Sequence, residues 1–114
     1  MDDREPPIYK ASYELTLAIT RFVRDCDPGY KMTLGQTLQN RVMLLQAAIY
    51  QVNEKLDKIL AIQMALNQAY FIKMLLRIFL DMNLMKLETN IILHGLLEDA
   101  TKQLQGWKKS QKKK

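Results

Sequence analysis

The chain has 114 residues, 48% of them hydrophobic and 25% charged, enough for one domain with its own core and too apolar for disorder over most of its length. Four glycines and three prolines leave too few turns for a β-sandwich or barrel, so long helices must carry the fold. Lys plus Arg is 17 against 12 acidic residues, but Lys108, Lys109, Lys112, Lys113 and Lys114 fall in the last seven positions; residues 1–107 hold 12 basic and 12 acidic groups, so the body is neutral and the basic excess belongs to the end.

Residues 1–7 are acidic and proline-ending, without the apolar stretch of a leader peptide, and are expected to be disordered. The first helix is predicted from about Ile8 to Cys26. Ile8, Ala11, Leu15, Ala18, Ile19, Phe22 and Cys26 recur at spacings of three and four, a stripe about 100° wide. Asp27-Pro28-Gly29-Tyr30 then reads as a tight turn with Pro and Gly at its centre.

A second helix is predicted from Thr33, where Thr33-Leu34-Gly35-Gln36 has the form of a capping box. Leu34, Leu38, Val42, Leu45, Ile49 and Val52 form its apolar stripe, and Asn53 or Asp57 marks the next boundary. The third helix is predicted over about Asp57 to Met82. Gln63, Asn67, Tyr70, Lys73, Arg77 and Asp81 occupy a polar stripe of about 120° on it. Nearly all the rest is apolar, including Leu60, Met64, Phe71, Leu75 and Phe79, whereas one side of a bundle needs only about 100°. Contact with other subunits accounts for the surplus, with Phe71, Leu75 and Phe79 as interface candidates. Its longest uncharged run, Ile59–Ile72, has 14 residues, short of the roughly 20 that span a bilayer. A soluble, cytoplasmic protein without membrane contact is therefore expected.

The fourth helix is predicted from about Lys86 to Lys109, with Gly95 and Gly106 suggesting close helix contact. Residues 110–114 are expected to form a flexible lysine tail. Short connections make an antiparallel up-down-up-down four-helix bundle of residues 8–109.

Enzyme chemistry has no foothold in this sequence. There is no phosphate-binding glycine loop and no metal-ligand spacing, so neither metal nor cofactor is expected. His94, the single histidine, reads as a surface or interface residue. Cys26, the single cysteine, lies on an apolar stripe as an inert thiol and cannot close an internal disulfide, which suits a reducing compartment. The seven methionines fill gaps in a helical core. The tyrosines look scattered, without a paired stacking platform.

Basic residues offer more. Lys10, Arg21 and Arg24 share one side of the first helix, and Lys73 and Arg77 are four apart on the third. In a monomer such charges are ordinarily just solvated. Repeated around a symmetry axis they form bands suited to phosphates, to which Lys108, Lys109, Lys112 and Lys113 would add flexible contacts. A lysine-rich end is equally explained by solubility.

Three segments carry a family resemblance: Pro7-Ile8-Tyr9-Lys10 opening the first helix, Thr33-Leu34-Gly35-Gln36-Thr37-Leu38-Gln39-Asn40 opening the second, and Leu104-Gln105-Gly106-Trp107-Lys108-Lys109-Ser110 closing the fourth. Over about residues 6–110 the chain resembles the accessory variability determinants (Avd) of bacterial and phage diversity-generating retroelements. These are related to the four-helix-bundle proteins of rRNA intervening sequences. The resemblance implies a non-enzymatic homopentamer that binds the element's reverse transcriptase and its template RNA or cDNA during mutagenic retrohoming. It places Lys73 and Arg77 on basic positions of the family's third helix, and Arg21 and Arg24 in a basic region of the first. The alternative is the intervening-sequence branch, a structural bundle without a polymerase partner.

Overall fold

A computed structural model describes residues 6–113, and among them are helices and turns but no strand. The acidic opening, Met1–Glu5, and Lys114 lie outside the described residues. Pro7 opens the first long helix, α1 (Pro7–Asp25), where its fixed φ suits a first turn and its missing N–H leaves no bond unmade. Of the expected stripe, Ile8, Ala11, Leu15, Ile19 and Cys26 are buried, with Ala18 and Phe22 half-buried at its margin. Ser12 and Val23 join them. The Ser12 hydroxyl donates to the Tyr9 carbonyl at 3.1 Å, which lets a polar side chain sit inside.

The passage to the second helix departs from expectation. Asp27 caps a new helical turn, Pro28–Tyr30, its carboxylate accepting from the Gly29 amide at 2.7 Å. The chain then runs through a π-turn, Lys31–Gly35, into α2 (Gln36–Gln51). Because helical geometry already passes through Thr33, that stretch has no helix start to cap and the expected capping box does not form. The Thr33 hydroxyl instead donates to the Tyr30 carbonyl, and the Gln36 amide to Asn40. Gly35 has a packing reason: a Cβ there would stand 3.2 Å from Cys26 Sγ and 3.4 Å from the Tyr30 carbonyl oxygen. Leu38, Val42, Leu45, Ile49 and Val52 are buried, as their spacing predicts, and Leu34 is half-buried.

After a short 3₁₀ turn, Val52–Glu54, the Asp57 carboxylate accepts from the Leu60 amide at 3.0 Å and caps α3 (Lys58–Asp81). That helix ends in a left-handed residue, Asn83, at φ 59°. The Leu84 amide returns to the Phe79 carbonyl at 2.9 Å and the Asn83 amide to that of Leu80 at 3.0 Å, the paired bonds of a Schellman ending. The last helix, α4 (Leu87–Lys112), continues three residues past the expected stop at Lys109, so 110–112 are helical and not a detached tail.

The four long helices form a bundle in which α1 and α3 each pack against both α2 and α4. Side-chain bonds tie the neighbours: Gln39 to Thr20 at 2.9 Å, Asn90 to the Leu76 carbonyl at 2.9 Å, and Lys108 to Gln63 at 2.6 Å. The diagonal pair, α1 and α3, meet across the core, where Phe22 stands edge-on to Phe79 with ring centres 5.2 Å apart. Two expectations give way here. Leu75 and Phe79 are enclosed in the chain's own core and are not surface available to another subunit. At Gly95 and Gly106 an added Cβ would meet nothing within 4 Å, so close helix packing does not explain either glycine.

By length and composition α3 is apolar enough to cross a membrane, contrary to the count of uncharged residues alone. A helix that gives one side to a bundle core can have the same composition, and Ile62, Ala65, Ala69, Ile72 and Leu76 of α3 are fully enclosed by its neighbours.

Candidate nucleic-acid interface

The seam between α3 and α4 gathers the cations. Two adjoining hollows run along it. One, of about 450 Å³, is lined by Gln63, Tyr70, Lys102, Gly106, Lys109 and Lys112, among others, with Lys108 at its side. The other, of about 180 Å³, is lined by Tyr70, Lys73, His94, Glu98, Thr101 and Lys102, among others. Tyr70, Lys102 and Gln105 belong to both, so the hollows form one groove. Five lysines face it with Glu98 as the one carboxylate of its lining.

The local sequence explains this arrangement. Tyr70 and Lys73 are three apart on the polar stripe of α3, and Lys102, Gln105 or Gly106, Lys109 and Lys112 recur at three and four along α4. Beneath them Leu66, Ala69 and Leu97 are buried and form the floor. Lys108 is anchored by its bond to Gln63, and the Tyr70 hydroxyl accepts from Gln105 at 3.5 Å. His94 lies beside these groups with its pKa below the ordinary value, chiefly through burial and then through the Lys73 ammonium, with Glu98 pulling the other way. The groove lining is thus net positive, and its imidazole takes up a proton less readily than a free one.

The remaining basic candidates fall elsewhere. Arg77 stands one turn beyond Lys73 on α3 and is exposed, with its Nε 3.4 Å from Asp81. Arg21 and Arg24 point outward from α1, and because α1 and α3 are diagonal partners their outer sides face apart. Arg24 is engaged by Asp25 through two bonds, at 3.0 and 2.9 Å, which raise its own pKa and hold that carboxyl below its usual range. The structure therefore brings Lys73, Lys108, Lys109 and Lys112 together and leaves Arg21 and Arg24 apart from them. Lys113 caps α4 at its end.

Phe71 lies on the other flank of α3, half-buried under the Arg41 guanidinium, whose carbon is 4.1 Å from the ring centre. Arg41 also donates to Gln68 at 3.2 Å. The tyrosines are not all scattered: Tyr9 and Tyr50 stack in parallel with centres 4.5 Å apart, between α1 and α2. Lys102, Tyr70 and Gly106 are the groove residues that reading charge runs alone passes over. The signal for them is the spacing of Lys102 from Lys109, seven residues on one side of a helix.

Apolar side chains are exposed in two other places. Leu56, Leu60 and Met64 border a groove of about 390 Å³ with Ala48, Gln51 and Ala61, where α2 passes into α3. Leu87, Ile91 and Ile92 stand out from the first turns of α4, and Gly95 is on the same side. Among the described residues no three His, Cys, Asp or Glu side chains converge on a metal position. Comparison with known protein families, characterised proteins and solved structures finds no match for this chain.

Proposed function

We propose that this chain is a non-enzymatic accessory protein of a diversity-generating retroelement. In this reading it is an antiparallel up-down-up-down bundle that assembles as a cytoplasmic homopentamer and holds the reverse transcriptase together with its template RNA or cDNA. The observation that carries the nucleic-acid part is the lysine-lined groove between α3 and α4, where five cations meet one carboxylate. Phosphates are the ligands such a row fits, and their recognition needs no catalytic group. The two exposed apolar patches support self-association, since separate patches of this kind mark contact surfaces. The partner enzyme follows from the family resemblance of the three segments opening α1, preceding α2 and closing α4.

A salt titration of binding to a structured RNA tests this. The full chain is expected to bind with a log–log slope of several units, each neutralised phosphate contributing about 0.7 to 0.9. Exchanging Lys102 and Lys109 for glutamine is expected to flatten that slope by one to two units while the circular-dichroism spectrum stays unchanged. Binding that ignores salt and both lysines rejects the groove as a phosphate site. Co-purification with the reverse transcriptase supports the retroelement reading, and its consistent failure favours the structural, intervening-sequence alternative.

A further inference from the structure

We infer that the α3–α4 groove takes a single nucleic-acid strand, a short unpaired stretch whose phosphates follow the lysines and one of whose bases lies against Tyr70. This rests on the nucleic-acid reading above and adds the form of the ligand.

The cations are arranged in file. From His94 to Lys112 the groove follows 18 residues of α4, about 27 Å at the helical rise. A track of this length suits the lower part of the range of about 4–16 nucleotides that single-strand grooves hold. A duplex presents two backbones, and proteins that grip one contact phosphates on both sides of a groove. The other basic groups do not form a comparable row: Arg24 on α1 is already paired with Asp25, and Arg41 lies over Phe71 on the other flank of α3.

Tyr70 is 46% exposed and stands where the two hollows join, its hydroxyl accepting a long bond of 3.5 Å from Gln105. A tyrosine beside a row of lysines can stack a base of any identity, because every base offers a π face. Gly106 supplies an independent sign. It is a helix-breaking residue in mid-helix, no neighbour requires it for packing, and it lines the groove next to Lys109. Its missing side chain lets a ligand backbone come down onto the helix. Lys102 and Lys109 flank that opening and supply the phosphate contacts.

The test is fluorescence anisotropy with the full chain and three labelled probes of 12 nucleotides: oligouridine, oligoadenosine, and a mixed-sequence duplex RNA. Both single strands are expected to bind at least tenfold more tightly than the duplex. Tyr70→Ala is expected to weaken single-strand binding about 5- to 150-fold, with Tyr70→Phe within about twofold of the parent. Gly106→Leu is expected to weaken single-strand binding by blocking the floor. Lys102→Glu, an exposed change that leaves the core untouched, is expected to weaken binding of all probes. Duplex bound as tightly as single strands, with Tyr70→Ala unchanged, overturns the inference while the nucleic-acid reading stands. No binding of any probe at low salt overturns both.

Discussion

At the scale of single residues, Asn83 and His94 show how local chemistry is committed. Asn83 holds the left-handed conformation that closes α3, which asparagine tolerates better than other non-glycine residues. Asn83→Val is expected to cost about 1–2 kcal/mol, the order of the steric penalty for that conformation, and Asn83→Gly to be neutral or stabilising. Urea denaturation midpoints of the two variants check this, and equal midpoints reject it. His94 makes a pH prediction. Burial and Lys73 keep its folded pKa below the ordinary 6.5, against the pull of Glu98; Lys102 and the Tyr70 hydroxyl also line its hollow. As pH falls below 6.5 the unfolded chain takes up this proton first, so stability declines until the folded value is passed and then levels. His94→Gln removes that leg, and its stability is expected to vary less between about pH 7 and pH 5. Matching pH profiles for parent and variant would show that the imidazole is not held neutral.

At the scale of the helices, stripes were the legible part of the sequence and junctions were not. The spacing in α1 and α2 names most of the buried residues because the core takes one side of each helix and the period is fixed. Junction chemistry depends on which of several competing starts is used. Asp27 with Pro28 is the start used: its carboxylate takes the Gly29 amide, Pro28 suits a first turn, and the helical path then runs on through Thr33 into α2. The wide apolar girth of α3 has a similar ambiguity: Leu75 and Phe79 face the chain's own core, while Leu60 and Met64 remain outside, and composition alone does not divide them. For the groove, Lys73 and the closing lysines were visible as charges, but the approach of Lys102 and Tyr70 depends on how α4 lies against α3. The glycines of α4 provide the check at this scale. With open space around the missing Cβ, Gly95→Ala and Gly106→Ala are each expected to stabilise the fold by about 0.5–1 kcal/mol, read as higher urea midpoints. A loss of stability in either variant would show that the glycine answers a structural need.

For the whole molecule, the proposed ring places a condition on its contacts. A ring of more than two copies is closed by a heterologous interface, in which each copy offers two different surfaces. The exposed apolar residues are distributed in that way. Leu56 and Leu60 lie where α3 begins, whereas Leu87, Ile91 and Ile92 lie where α4 begins, beside the end of α3 as the Asn90 bond to Leu76 shows. From Leu60 to Leu76 is about 24 Å along the helix, so the two patches are well separated and one copy cannot satisfy both against itself. Leu60→Glu and Ile91→Glu are each expected to abolish higher assembly, because each places a carboxylate in a desolvated contact. Mixing the two variants distinguishes the geometry. One retains an intact α4 patch and the other an intact α3 groove, so together they are expected to form a dimer and nothing larger, measured by light scattering after size exclusion. A self-matching contact would show itself already in the single variants: a patch that pairs with its own copy is left intact in the variant altered at the other patch, so Leu60→Glu or Ile91→Glu alone would still dimerise, and that result would exclude a ring joined through these surfaces.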